Sequence, residues 1–207
     1  MQKIPKIIVQ TSLQKTPEYV VNMIQNMSNG WDYQHYTDDE IIQFFKENPI
    51  AQMSQIVDKF YSLSYGAHRA DLFRYYFLFI NGGVFIDSDA MLEENLDTIV
   101  NDYSFFSVNS SYHVGAIFQG FIGCTSRHPI IEKALIDIYN TPNDILKCEF
   151  HLLCKNLYTF YNNYSDDDNN IHLYQELTGT DEYAEVVDLI NNKIILKHYY
   201  KKKIIPH

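Results

Sequence analysis

Two aspartates, Asp87 and Asp89, stand one residue apart in the segment NGGVFIDSDAML, residues 81–92. The three apolar residues before them predict a short buried strand, so the acids emerge at the carboxyl edge of a sheet, where open α/β sheets bind ligands. In extended backbone their side chains would point the same way, ~6.5 Å apart along the strand. Two such carboxylates repel each other unless a cation lies between them, and a hard divalent cation meets that need. The simpler interpretation is a turn with solvated acids.

A second pair, Asp71 and Arg74, lies in the apolar segment at residues 65–80. Residues three apart on a helix occupy neighbouring positions of one face. A structural salt bridge is the simpler interpretation. The functional one is that Asp71 accepts hydrogen bonds from ribose or sugar hydroxyls while Arg74 contacts phosphate or sugar oxygens.

The elements that must position these residues follow from the hydrophobic pattern. Residues 65–80 predict a helix that is apolar on most sides and therefore buried, and Gly82 or Gly83 can end it in a left-handed conformation. Thr37 and Glu40 predict a capping box at the start of another helix. Further helices are predicted after Pro17, from residues 129 to about 140, over 144–163 and over 174–190. Strands are predicted at KIIVQ, WDYQHY, VFI, YSFFSV and VGAIFQGFIG, and KIILKHYY is a last strand or an extended tail. Alternating strands and helices indicate an α/β domain built on a central sheet.

Composition limits the classes of function. The chain has 207 residues, 46% of them hydrophobic, which suits a single domain, and a net charge of -10 makes nucleic acid an unfavourable partner. No stretch of ~18 apolar residues predicts a transmembrane segment. Three scattered cysteines, an odd number without metal-ligand spacing, indicate reduced thiols and a cytoplasmic protein.

The motifs together resemble a known family. AHRADLFRYYFLFINGGVFIDSDAML is similar to the sugar-nucleotide-binding region of the D-x-D glycosyltransferases of family 32, and IPKIIVQTSL, GWDYQHYTDDE and FQGFIGCTSRHPIIEKAL resemble its flanking segments. The resemblance covers most of residues 4–135 and is loose beyond. Departures are Val9 for the usual His, Leu13 for Trp, Phe85 for Tyr and Thr180 for Pro.

The resemblance implies a GT-A fold, a single Rossmann-like α/β domain over 1–207 with a mostly parallel sheet flanked by helices. Residues 1–110 would form the nucleotide-sugar half and 111–207 the acceptor-side half. It also implies Mn²⁺ or Mg²⁺, a UDP- or GDP-sugar donor, retention of anomeric configuration, and a glycan, lipid-linked or protein acceptor. A UDP-hexose is the favoured donor.

The family's roles are carried over residue by residue. Asp87 would touch the ribose and, through water, the metal, and Asp89 would ligate the metal directly. Asp71 and Arg74 would hold the transferred sugar. The backbone of Ile8, Val9, Gln10 and Thr11 would cradle the base. His198, in the last strand, is the candidate third metal ligand, although a lone histidine is more often a surface or hydrogen-bonded residue.

Two other hypotheses remain open from the sequence. A D-x-D phosphohydrolase would use Asp87 as its nucleophile, but Met91 occupies the place where such enzymes usually carry Thr. A degenerate transferase would bind a nucleotide-sugar without turning it over.

Overall fold

Nine strands form one mixed sheet in the part of the chain that the computed structural model describes, residues 3–165, 170–201 and 205–206. The strands are β1 (Ile7–Thr11), β2 (Asp32–Tyr36), β3 (Gly83–Ile86), β4 (Ala90–Leu92), β5 (Phe105–Asn109), β6 (Ile117–Cys124), β7 (Ile171–Leu177), β8 (Ala184–Asp188) and β9 (Lys193–His198). The helices are α1 (Glu18–Asn26), α2 (Asp38–Glu47), α3 (Ile56–Ser62), α4 (Gly66–Asn81), α5 (Leu96–Val100), α6 (Pro129–Asn140), α7 (Asn143–Cys148) and α8 (Leu152–Asn162), with a 3₁₀ turn at Ala51–Met53. The order across the sheet is β2-β1-β3-β6-β5-β7-β8-β9-β4. No helix in the described ranges has both the length and the apolar composition needed to cross a membrane.

The predicted α/β fold is confirmed, but the sheet is mixed rather than mostly parallel. Strand β1 pairs in parallel with β2 and β3, and β5 pairs in parallel with β7, whereas the other five pairings are antiparallel. The reason is the length of the connections. Parallel neighbours need a crossover of about a dozen residues or more, and short loops join β5 to β6, β7 to β8 and β8 to β9.

The helix predicted over 174–190 is wrong, because this segment contains most of β7 and all of β8. In β7 the side chains of Tyr174 and Glu176 are buried while their neighbours are less so, the alternation expected of a strand. Parallel pairing with β5 overrides the helical propensity of Glu and Leu in this segment.

The sheet curls so far that its last strand returns to its middle. Strand β4 lies at the end of the order, six positions from β3, yet only residues 87–89 join the two strands. Six spacings would span roughly 29 Å in a flat sheet, whereas a linker of this length reaches about 14 Å at most. The linker that makes this closure is the D-x-D segment.

Both faces of the sheet carry a hydrophobic core. Alternate residues of β1 show this, since Val9 belongs to the core cluster under α2, α3, α4 and α6, and Ile8 to the cluster under α1 and α5. The capping box predicted for α2 is present, with the Thr37 backbone N–H donating to Glu40 Oε2 at 2.8 Å. Helix α4 lies buried against the sheet, and two residues after its end the chain enters β3.

Candidate functional site

Two glycines direct the chain from α4 into β3. Gly82 caps the helix with φ 69°, and its N–H donates to the carbonyl of Leu78 at 2.8 Å. Gly83 follows with φ 105°, and a Cβ there would lie 2.7 Å from the carbonyl oxygen of Ile7. Only glycine combines that conformation with so close an approach of β1. The glycine pair therefore sets β3 in the sheet and delivers the acids to its end.

The D-x-D segment forms a turn, so the expectation of extended backbone is wrong. The N–H of Ala90 donates to the carbonyl of Asp87 at 3.0 Å, and the N–H of Asp87 donates to the carbonyl of Gly120 at 2.7 Å. The turn arises because the chain must pass from β3 to β4 within three residues. The turn places both carboxylates near β9, the last strand, and they are not spaced along β3 as predicted.

Strand pairing brings His198 to the acids. Antiparallel β9 places His198 opposite Ala90, and the N–H of Tyr199 donates to the carbonyl of Asp89 at 2.7 Å. Nε2 of His198 then lies 3.3 Å from Oδ1 of Asp89. The structure thus brings together Asp87, Asp89 and His198, the three residues predicted from the sequence as metal ligands.

Asp87, Asp89 and His198 fit the requirements of a divalent cation. One ligand atom from each lies within 4.8 Å of the other two. Oxygen and nitrogen ligands at ~2.0–2.2 Å from an ion stand about 3 Å apart when adjacent and ~4.2 Å when opposite, so small side-chain adjustments would close the set. Carboxylate oxygens suit Mg²⁺ and Mn²⁺, and an added imidazole suits a transition metal better than Mg²⁺. Metal binding by these residues stays a prediction.

Arg74 joins the acids of α4 and of the turn. Its Nη1 lies 3.0 Å from Asp71 Oδ1, its Nη2 lies 3.0 Å from Asp87 Oδ1, and its guanidinium stacks 4.0 Å from the ring centre of Phe85. The Arg74 side chain is only 5% exposed. The predicted Asp71–Arg74 contact is therefore present, but it belongs to a network that reaches Asp87 and is more than a local salt bridge.

Burial shifts the proton affinities of this network. It raises the pKa of Asp71 to about 6, against the opposing effect of the Arg74 charge. It raises the pKa of Asp87 as well, with Asp89 adding to the rise and Arg74 again opposing it. Burial alone would lower the pKa of His198, but the hydrogen bond and charge of Asp89 and the charge of Asp87 reverse this, and the pKa is raised. Each shift follows from negative charge concentrated in a site of low solvent access, the setting that a bound cation would relieve.

Strand β6 supports both acids. The side-chain amide of Gln119 is oriented with its nitrogen toward Asp71 and its oxygen toward the backbone of Cys154. In this orientation it donates to Asp71 Oδ1 at 2.8 Å and accepts from the N–H of Cys154 at 3.0 Å. A Cβ at Gly120 would collide with the carboxylate of Asp87 and the ring of Phe118. The contacts of Gln119 and Gly120 with the acids depend on the pairing of β3 with β6, which the sequence did not reveal.

The predicted base-binding residues divide into two groups. Ile8 and Val9 have buried side chains and pair with both β2 and β3. Gln10 and Thr11 lie beyond the pairing with β3, nearer the carboxyl edge. The side chain of Gln10 donates to the carbonyl of Asp87 at 3.1 Å, a contact that a prediction based on its backbone did not include. The role of this segment in base binding stays a prediction.

Asp87, Asp89 and His198 are called the acidic cluster below. A cavity of about 420 Å³ opens beside it, with His198, Gln119, Phe118 and Glu176 among its lining residues. Glu176 is a site residue that the sequence did not reveal, because it fell in the segment predicted as a helix.

Comparisons with known proteins found a matching family model and curated relatives. Residues 8–106 match the model of the glycosyltransferase sugar-binding region containing the DXD motif. Inositol phosphoceramide mannosyltransferase 1 of Schizosaccharomyces pombe is 28% identical over 142 residues, 65% of this chain and 43% of that protein. Mannosyl phosphorylinositol ceramide synthase SUR1 of Saccharomyces cerevisiae is 33% identical over 138 residues, 65% of this chain and 34% of that protein. The chain therefore spans less than half the length of these relatives.

A solved structure shares the fold. The structure titled PaToxG Glycosyltransferase superposes with a TM-score of 0.54 at 14% sequence identity, over 76% of this chain and 68% of that one. At this identity the likeness concerns the fold alone.

Proposed function

We propose that the chain is a metal-dependent retaining glycosyltransferase, because residues 8–106 match the glycosyltransferase sugar-binding region containing the DXD motif. It would move a hexose from a nucleotide-sugar to a glycan, lipid or protein acceptor. The observation that carries this proposal is the convergence of Asp87 and Asp89, from the turn after β3, with His198 of β9, with ligand atoms within 4.8 Å of one another. Retention of configuration is taken from the family resemblance.

In this proposal Asp89 and His198 ligate Mn²⁺ or Mg²⁺ directly, and Asp87 contributes through water while its other contacts reach the ribose. When bound, the ion would neutralise the charge that develops on the departing nucleoside diphosphate. Asp87 is suited to a shared role because Arg74 holds Oδ1 at 3.0 Å. That contact fixes the carboxylate before any ligand arrives, which favours preorganised electrostatic stabilisation.

Asp71 and Arg74 would hold the transferred sugar. Gln119 donates to Asp71 Oδ1 at 2.8 Å and Arg74 Nη1 lies 3.0 Å from the same oxygen, so the orientation of this carboxylate is fixed. Among the described residues its other oxygen is left to accept from sugar hydroxyls. The backbone at Gln10 and Thr11, and less directly at Ile8 and Val9, would contact the base. The nucleotide-sugar half would then be residues 1–110 and the acceptor half 111–207.

The donor and the compartment are finer points of the same proposal. The two yeast relatives are named for mannosyl transfer, which makes mannose the first hexose to test beside glucose, and the UDP-hexose preference predicted from the sequence stays a prediction. A cytoplasmic site of action is supported by Cys124, Cys148 and Cys154, all of which are free thiols.

Asp89→Asn tests the metal role. We expect it to abolish Mn²⁺-dependent binding of UDP-glucose, UDP-galactose, GDP-mannose or whichever nucleotide-sugar the wild-type protein binds in calorimetry, while the fold stays intact by circular dichroism. Asp102→Asn removes the same charge from an exposed position and is the matched control. Unchanged donor affinity in Asp89→Asn with Mn²⁺ present would disprove the metal role.

The wild-type protein and one further variant, Asp87→Ala, separate the two other hypotheses. Slow Mn²⁺-dependent release of free sugar from the donor, lost in Asp87→Ala, would exclude a degenerate binding protein. A phosphohydrolase would form a phosphoaspartate at Asp87, but the family match and the Arg74 contact on that carboxylate give this hypothesis no support.

A further inference from the structure

The cavity beside the acidic cluster has a composition unlike that of the cluster itself. Its volume is about 420 Å³, and aromatic and histidine rings make up much of its wall. The rings are those of Tyr112, Phe118 and Tyr200, with His113 and His151. Phe118 lies against His198, with 4.6 Å between ring centres, so the cavity begins where the proposed metal site ends.

One carboxylate, that of Glu176, lines this aromatic cavity. Glu176 is 3% exposed and lines the cavity from β7. Its Oε2 accepts hydrogen bonds from Ser110 Oγ at 2.8 Å and from the backbone N–H of Ser111 at 3.0 Å. Both of these bonds end on one oxygen, so within the described part of the chain Oε1 is the atom left for a ligand.

The carboxylate is held by neutral donors. Among the residues described, no lysine or arginine lines the cavity, and no ion pair within 4.0 Å involves Glu176. The imidazole of His198, whose pKa the charge of Glu176 helps to raise, also lines the cavity, and its ion-pair partner is Asp89 at 3.3 Å. A buried carboxylate is costly unless hydrogen bonds or charges satisfy it. A ligand that donates hydroxyl hydrogens to Glu176 would be stabilised, whereas an anionic group placed beside it would be repelled.

The position of the cavity separates it from the predicted base site. In the sheet order, β1 and β2 lie on one side of β3, while β6, β5 and β7 lie on the other and carry Phe118 and Glu176. With the nucleotide over β1 and the diphosphate at Asp87 and Asp89, the cavity lies across β3 from the base, beside Gln119, which donates to the Asp71 carboxylate proposed to hold the sugar.

We propose that this cavity is the acceptor site, that it takes a neutral polyhydroxylated ring such as a hexose unit, and that Glu176 is its specificity-determining residue. The inference rests on the proposed function, because it assumes a donor at Asp87 and Asp89. Aromatic rings pack on the apolar face of a sugar, and Glu176 Oε1 accepts from its hydroxyls. An acceptor that is acidic at this ring is excluded by the charge of Glu176.

Binding to the wild-type protein tests the chemistry without any variant. Saturation-transfer NMR in EDTA, with no donor, would compare methyl α-D-mannopyranoside and methyl α-D-glucopyranoside with methyl α-D-glucuronide, a ring of the same size with a negative charge. We expect saturable binding of at least one neutral glycoside and at least tenfold weaker binding of the glucuronide. Equal or preferred binding of the glucuronide, or no binding of any of the three, would overturn the inference.

Glu176→Gln tests the residue. Glutamine has the same size and can still accept from Ser110 and Ser111, but it lacks the charge. We expect the discrimination between neutral glycoside and glucuronide to fall at least tenfold, while Mn²⁺-dependent donor affinity changes less than twofold. Glu132→Gln makes the same change at an exposed position of α6 and should alter neither. Unchanged discrimination in Glu176→Gln would refute the role of this carboxylate.

Failure of the inference and failure of the proposed function are distinguishable. If the protein binds a nucleotide-sugar with Mn²⁺ but the cavity shows no preference for neutral rings, only the inference fails. If no nucleotide-sugar binds, the proposed function fails, and the acceptor role fails with it even where the NMR preference is found.

Discussion

Arg74→Met should be among the most destabilising single changes in the site. Arg74 is 5% exposed and makes two ion pairs of 3.0 Å, with Asp71 and Asp87. Removing one partner of a buried pair leaves an uncompensated charge and costs about 3–5 kcal/mol. Methionine keeps most of the packing against Phe85, so the lost free energy of unfolding reports chiefly on the charges.

The free energy of unfolding lost in Arg74→Met should become smaller as the pH falls. A carboxyl whose pKa is raised by folding holds its proton more tightly in the folded state, so it stabilises the fold at low pH and loses that effect as the pH rises through the folded pKa. The pKa of Asp71 is about 6 with Arg74 present, and it should rise further without it. Between pH 7.5 and 5.5 the variant should therefore recover about 1–2 kcal/mol relative to the wild type, since each pH unit contributes at most ~1.4 kcal/mol per proton.

Urea unfolding in EDTA at the two pH values measures both effects. Arg69→Met is the matched control, because Arg69 is 31% exposed and its pair with Asp38 is 3.5 Å long, so a loss of about 1 kcal/mol or less is expected. A cost below ~1 kcal/mol for Arg74→Met, or one that is the same at both pH values, would refute the account of the network as buried and charged.

Two further predictions concern the glycine pair and the last strand. Gly83→Ala should destabilise the protein by about 1–3 kcal/mol in thermal unfolding, because a Cβ at φ 105° would lie 2.7 Å from the carbonyl of Ile7, whereas Gly66→Ala, with nothing within 4 Å, should be neutral or slightly stabilising. A loss no greater than that of Gly66→Ala would contradict this. His198→Ala should weaken Mn²⁺ binding in calorimetry by at least about tenfold, and wild-type binding should weaken as the pH falls through the raised pKa of His198, because the protonated imidazole cannot ligate. Equal Mn²⁺ affinity in the variant would remove this residue from the metal site.

Local signals in the sequence were reliable guides to structure. The apolar run before Gly82, the capping box at Thr37 and the strand of three apolar residues before Asp87 each depend on neighbouring residues, and each element is present. The pair Asp71 and Arg74 could be placed on one helical face for the same reason, as spacing along a helix fixes which side chains meet.

Features that depend on strand pairing could not be predicted from neighbouring residues in the sequence. The turn at Asp87 follows from β4 lying beside β9, and the burial of Glu176 follows from the pairing of β7 with β5. A buried glutamate in a short segment with helical propensity gives no sign of a strand until its partner strand is known. The sequence therefore predicted Asp87, Asp89 and His198, the residues of the acidic cluster, but not the cavity beside it.

The return of β4 to β9 makes the acidic cluster a late product of chain synthesis. His198 is translated roughly 110 residues after Asp89, so both aspartates leave the ribosome long before their proposed partner exists. Contacts at such separation in sequence form slowly, because a long loop must close before they stabilise anything. A nascent or unfolded chain would consequently present two aspartates of low cation affinity, and capture of Mn²⁺ would coincide with docking of the last strand, coupling the metal to completion of the fold.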